Sequence, residues 1–204
     1  MSVPLATECT VVRLDVVDSS SGGRRRQAHL DQALSAALDL TLDSLSHHSR
    51  YASEPTFRRD DGDSVTLVFG ANIPKAWVTA DIVLRELDLA LSEVNKPYND
   101  AHRLRVRIAV DDGATVIDPP HISGSPVTTT ARLIDAEPFR RAVLDAPEED
   151  FGLIVSDRFH AEVVLGGERG LDRIAFRPVE VDVKGFQQTA WVYVPKRERS
   201  DHGM

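Results

Sequence analysis

The run Thr10-Val11-Val12-Arg13-Leu14-Asp15-Val16-Val17 is β-branched and apolar apart from Arg13 and Asp15, and it predicts a buried strand. Asp18 to Gly23 follows as a loop by composition. From Arg24 to about Ser46, Leu30, Leu34, Leu38, Leu42 and Leu45 recur at the spacing of a helix with one buried stripe. A polar stretch, His47 to Arg50, leads to a short strand around Thr56-Phe57-Arg58-Arg59. Asp60-Asp61-Gly62-Asp63 then turns the chain into a strand from Ser64 to Phe69, which makes a hairpin with an acidic tip.

Pro74 to Val94 reads as a second amphipathic helix, with Pro74 near its first turn. Arg103 to Val110 alternates basic and apolar residues, the pattern of a half-buried strand with an arginine face. Asp112-Gly113 predicts a turn into a strand from Ala114 to Ile117, and Asp118 to Pro126 a loop. Val127 to Leu144 is helical in pattern but broken near Pro138. A strand from Phe151 to Val155 precedes a helix opened by Ser156 and running to about Val164, and Gly166 to Gly170 is a loop. Late strands, Phe176 to Val183 and Thr189 to Val194, are joined at Lys184-Gly185. Strand, helix, strand, strand, helix, strand is the order of a ferredoxin-like core, here extended at its C-terminal end. The expected class is α+β, an antiparallel-rich sheet packed by helices, over residues 9–195, with a disordered tail at 196–204.

Composition narrows the partners. The chain has 204 residues, 42% hydrophobic and 27% charged, enough for a single domain with a substantial core. Twenty-four Lys plus Arg against thirty-two Asp plus Glu leave a net charge of −8, which argues against nonspecific nucleic acid or anionic membranes as partners. A polyanionic substrate must then be held locally, by a metal or a few arginines. The lone Cys9 excludes an intrachain disulfide and a Cys-based zinc ribbon, and reads as a small buried hydrophobe. No charged start precedes an apolar segment, and no apolar run approaches the roughly 20 residues of a membrane span, so a cytoplasmic protein is expected.

Two carboxylates and three arginines are the candidate chemistry. Asp15 interrupts an apolar strand, and a buried carboxylate is costly unless it is paired, as with Arg13 or Arg59, or bound to a metal. Asp63 follows a glycine at the hairpin tip, where Asp is also a common turn residue. If the first strand and the hairpin are neighbours, both could converge on a hard cation such as magnesium or manganese. Arg59, Arg107 and Arg132 could supply positive charge, since guanidinium groups bind phosphate bidentately. The histidines lack the spacing of a zinc site, Ser123-Gly124-Ser125 lacks the strand-to-helix setting of a nucleophile elbow, and there is no P-loop. Trp77 and Trp191 read as core or interface packing.

The chain resembles the class III nucleotidyl cyclase homology domain of adenylate and guanylate cyclases. Arg13-Leu14-Asp15-Val16-Val17-Asp18-Ser19-Ser20 stands where the family has F-x-D-I-x-x-F-[ST], and Gly62-Asp63 to Phe69 where it has G-D-x-x-x-x-x-F. Leu104 to Gly113 is similar to L-R-x-R-I-G-[IV]-H-x-G. His121 to Leu133 is similar to D-I-W-G-x-x-V-N-x-A-[AS]-R-[LM]. Val155-Ser156 and Val183-Lys184-Gly185 match the V-S and L-K-G landmarks in order. The resemblance implies that Asp15 and Asp63 hold two magnesium or manganese ions, that Arg107 contacts the triphosphate, and that Arg132 stabilises the transition state. It also implies a head-to-tail homodimer in which aspartates and Arg132 of one site come from different chains.

The departures fall on substrate recognition. Thr128 replaces the family's ribose-orienting asparagine, while His121 and Arg59 replace the aspartate and lysine that read adenine. Phe186 stands where a triphosphate-binding lysine is expected, with Lys184 or Arg24-Arg25-Arg26 as conceivable substitutes. The implied activity is that of a phosphorus–oxygen lyase turning a nucleoside triphosphate into a 3′,5′-cyclic nucleotide. The altered base positions suggest a nucleotide other than ATP, and a domain expected to stand alone, without a fused sensor, resembles the uridylate and cytidylate cyclases of bacterial antiphage signalling. Two alternatives stay open: a degenerate cyclase domain that binds nucleotide or dimerises without turnover, and an unrelated ferredoxin-like interaction domain.

Overall fold

β1 (Thr7–Val16) is the strand around which the sheet is built. It pairs antiparallel with β3 (Ser64–Gly70) on one side and β4 (Val106–Asp118) on the other. β2 (Phe57–Asp60) extends the β3 edge, and β6 (Phe151–Ser156) lies parallel to β4. β8 (Phe186–Tyr193) and β7 (Arg177–Val183) complete the order β2-β3-β1-β4-β6-β8-β7, with β5 (His121–Gly124) paired to the far end of β4. This computed structural model describes residues 4–19, 21, 23–48, 51, 54–99 and 102–196. Ser20, Gly22, Ser49, Arg50 and the 197–204 portion of the expected tail lie outside the described residues.

The segment β2-β3-β1-β4 has the ferredoxin-like strand order, and the sheet is antiparallel except between β4 and β6. Two long helical segments make the crossovers: α1 (Gly23–His48), and a run in which α2 (Lys75–Trp77), a π-helical stretch (Val78–Leu87) and α3 (Asp88–Asn95) follow one another. Both pack on one face. Leu30, Leu34 and Leu38 of α1 and Val83, Leu87 and Leu91 of the second helix bury against Val12, Leu14, Leu67 and Ile108. Each such side chain contributes about 1.5–3 kcal/mol by leaving water. On the opposite face, α4 (Ser125–Ile134) and α5 (Glu137–Leu144) cover the β4-β6-β8 side. There Leu133, Ile134, Phe139 and Val143 meet Ala109, Ile154, Ala190 and Val192.

Four local expectations change. β4 runs straight through Asp112-Gly113, because Gly113 sits at φ 145°, a conformation that suits glycine, opposite Cys9 of β1. The chain instead reverses at Pro119-Pro120, and His121–Gly124, expected as loop, returns as β5. Val78–Leu87 is π-helical, which apolar spacing near 3.6 does not reveal. β8 begins at Phe186, three residues before the expected Thr189, because Lys184 and Gly185 (φ 51° and 80°) form a two-residue hairpin turn with Val183 paired to Phe186. Cys9 and Trp77 are buried as expected.

Candidate functional site

Asp15 and Arg107 face each other in the antiparallel register of β1 and β4, and the guanidinium donates to the Asp15 carboxylate. Both are mostly buried, at 19% and 11% side-chain exposure, so water screens the pair weakly. Arg13 and Arg59 are engaged elsewhere. Arg13 donates to Thr66 Oγ1 and Ser64 Oγ at 3.3 Å, and Arg59 pairs with Asp61 at 2.9 Å. Burial pushes the Asp15 carboxyl above its ordinary range; Arg107 pulls it back, Asp63 pushes it up further and Arg13 lowers it.

Asp63 reaches the same place from the β2–β3 turn. Its carbonyl accepts a hydrogen bond from Val16 N at 2.9 Å, which ties the hairpin tip to the end of β1. Its carboxylate accepts from Ser19 Oγ at 2.6 Å. Asp31 of α1 borders this pair. Burial and then the Asp63 charge raise its carboxyl, and its Oδ1 is buried with no hydrogen-bond partner.

Asp15, Asp63 and Arg107 line one cleft of about 300 Å³, whose far wall is Asp135, Arg140, Val143 and Leu144. A larger cavity of about 800 Å³ lies between α5 and β7–β8, lined in part by Pro138, Ala142, Val179 and Val192. It contains none of the candidate residues, and chemistry rather than size selects the smaller cleft. The structure therefore brings together the proposed metal and triphosphate residues. It does not bring the other four to them within one chain. Thr128 and Arg132, four residues apart on one face of α4, lie outside the cleft lining, as do exposed His121 on β5 and Arg59 on β2.

The glycine of the His121–Gly124 block has a packing reason. A Cβ at Gly124 would stand 2.4 Å from the Ala114 carbonyl oxygen, and its φ of 142° suits glycine. Phe186 packs against the second core, and Lys184 is exposed at the hairpin tip. Arg26 Nη1 donates to the carbonyls of Asp18 (2.7 Å) and Ser21 (2.9 Å), bracing the loop after β1. Asp31, Asp135 and Arg140 were not legible from sequence, because each looks like an ordinary helix-surface or helix-end residue.

No protein-family model matches the chain, and no curated protein matches it. Solved structures do. The guanylyl cyclase Cya2 superposes with a TM-score of 0.60 at 18% identity, over 94% of this chain and 93% of that one. The catalytic core of a rhodopsin-guanylyl cyclase with converted specificity, in complex with ATPαS, gives 0.58 at 17% identity, over 95% and 98%. The adenylate/guanylate cyclase/hydrolase from Silicibacter pomeroyi gives 0.56 at 15%, over 94% and 98%. The chain has the nucleotidyl cyclase fold.

Within this cyclase fold a second acidic pair, Asp111-Asp112, is already neutralised. Asp111 accepts from Ser156 Oγ at 2.7 Å and from Arg158 at 3.1 Å, and Asp112 is ion-paired with Lys75 and, at 3.0 Å, with Arg158. Among the described residues no group of three or more His, Cys, Asp or Glu is arranged to hold a metal, and no helix is long and apolar enough to cross a membrane. Two carboxylates are nevertheless what a hard divalent cation takes when substrate phosphates supply other ligands. The mutual repulsion at Asp15, Asp63 and Asp31, with an orphaned Asp31 oxygen, fits a cation there.

Proposed function

We propose that the chain is a nucleotidyl cyclase that converts a nucleoside triphosphate into a 3′,5′-cyclic nucleotide and diphosphate. The observation that carries this reading is the convergence of Asp15, Asp63 and Arg107 in one cleft of a cyclase fold. In the reaction the ribose 3′-oxygen bonds to the α-phosphorus, the bond to the β-phosphate bridging oxygen breaks, and the 3′-hydroxyl proton is lost. Magnesium or manganese, two per site and held by Asp15 and Asp63, would lower the pKa of the 3′-hydroxyl and offset phosphate charge. Arg107 is placed to bind phosphate once it is no longer neutralising Asp15, and its orphaned, buried Nε is a donor in waiting. The Ser19 hydroxyl, bonded to Asp63, orients that carboxylate.

Arg132 and Thr128 lie apart from this cleft, which supports a head-to-tail homodimer in which α4 of a second copy supplies the transition-state arginine and a ribose-facing hydroxyl. Thr128, His121 and Arg59 in place of asparagine, aspartate and lysine support a base other than adenine. A pyrimidine, giving cyclic UMP or cyclic CMP for antiphage signalling, is the substrate we favour. Incubation with each of the four ribonucleoside triphosphates and manganese, with products resolved by chromatography, is the test. One cyclic nucleotide with equimolar diphosphate is expected, and no cyclic product from any of them overturns the reading. The packing of Phe186 against the second core favours one rival, a domain that binds nucleotide without turnover; calorimetric binding with no product selects it.

A further inference from the structure

Arg140 stands in the cleft with Asp15, Asp63 and Arg107, yet belongs to none of the sequence blocks through which the chain resembles the cyclases. Helix α5 carries it there. Arg140, Val143 and Leu144 recur at i, i+3 and i+4, one face of the helix, and all three line the cleft. Phe139 and Val143 anchor the helix in the second core. Gly152 of β6 lets it close down: a Cβ there would stand 2.5 Å from Val143 Cγ2 and 3.1 Å from Phe139 Cε2. Gly152 is also the register neighbour of Arg107, so α5 packs beside the strand position that bears it.

The charges around the cleft are unevenly committed. Asp15, Asp18, Asp63 and Asp135 bring negative charge, and Arg107 and Arg140 bring positive charge. Arg107 is ion-paired with Asp15. The exposed Arg140 guanidinium has no hydrogen bond or ion pair among the described residues. Meanwhile Phe186, where the resembling family has a phosphate-binding lysine, is partly buried against the second core.

We propose that Arg140 is a phosphate-binding residue, gripping the triphosphate from α5 of the same subunit and supplying the cation that Phe186 does not. A guanidinium fork suits phosphate oxygens, and its rim position lets it engage without first breaking an ion pair. The proposal rests on the cyclase reading for the identity of the phosphate compound, but not for the site itself.

The test is calorimetric titration of the full chain with inorganic tripolyphosphate and manganese. Arg140→Ala weakens binding about tenfold, Arg140→Glu weakens it further, and Arg140→Lys recovers most of the loss. Arg141→Ala is the control, because Arg141 lines the other cavity and pairs with Glu137 at 3.4 Å; it binds as the parent does. Thermal melts confirm that these surface variants are folded. Unchanged tripolyphosphate affinity in both Arg140→Ala and Arg140→Glu overturns the proposal, as does an equal loss in Arg141→Ala. If the parent binds tripolyphosphate through Arg140 but cyclises no nucleotide, the cyclase reading falls and the phosphate site stands. If it cyclises a nucleotide and Arg140→Ala leaves KM unchanged, the phosphate role falls and the cyclase reading stands.

Discussion

Leu14 and Asp15 are consecutive residues of β1 and point to opposite faces of one sheet. Leu14 is fully buried beneath the two long helical segments, in a face filled by valines, leucines and isoleucines. Asp15 faces a side that α4 and α5 cover mainly over β4, β6 and β8, next to Ser64, Arg107 and the Asp63 tip. Around Leu14 the first face packs apolar side chains against one another. The second keeps carboxylates and guanidinium groups close together in a partly open cleft, with Arg107 Nε lacking a partner. A strand with period 2 can serve both ends at once. Stability and chemistry are thereby separable on adjacent residues.

The largest expected effect breaks the second face alone. Asp63→Ala, on the cyclase reading, lowers turnover by about a thousandfold or more, on the order of 4 kcal/mol of barrier, in a manganese-dependent cyclic nucleotide assay. Its urea midpoint stays near that of the parent, because the side chain is only half-buried and the Val16–Asp63 link is made by backbone atoms. Leu14→Ala is the reverse experiment. It costs about 2–5 kcal/mol in urea unfolding through the cavity left in the first core, while activity per folded molecule is retained. Loss of activity without loss of stability there would show that the two faces are coupled. Gly152→Ala probes the seam between packing and cleft. Its methyl group meets Val143 and Phe139, so it costs about 1–3 kcal/mol and displaces α5. Differential scanning calorimetry reads the stability, and tripolyphosphate titration reads the displacement as weakened binding.

Much of this was legible because it is local. The apolar run around Leu14 gave a buried strand interrupted by Asp15, Lys184-Gly185 gave a hairpin, and Pro138 gave the break between α4 and α5. Two misreadings show where locality fails. Asp112-Gly113 has turn composition, yet β1 holds it extended by pairing Cys9 with Gly113. The Val78–Leu87 segment has helical spacing, yet packs as a π-helix, since a change of hydrogen-bond register leaves the apolar pattern almost unaltered.

The sequence by itself determined that Asp15 lies in a strand, that Asp63 follows a tight turn, and that both suit a hard cation, since these depend on residue type and near neighbours. Only the tertiary structure decided that Asp15 is opposite Arg107 rather than bound by Arg13 or Arg59, that Val16 fastens Asp63 beside it, and that Arg140 arrives on α5. The reason is physical. Periodicity tells a side chain which face it occupies, whereas strand register and helix docking, set by contacts between residues far apart in the chain, tell it which charges it meets.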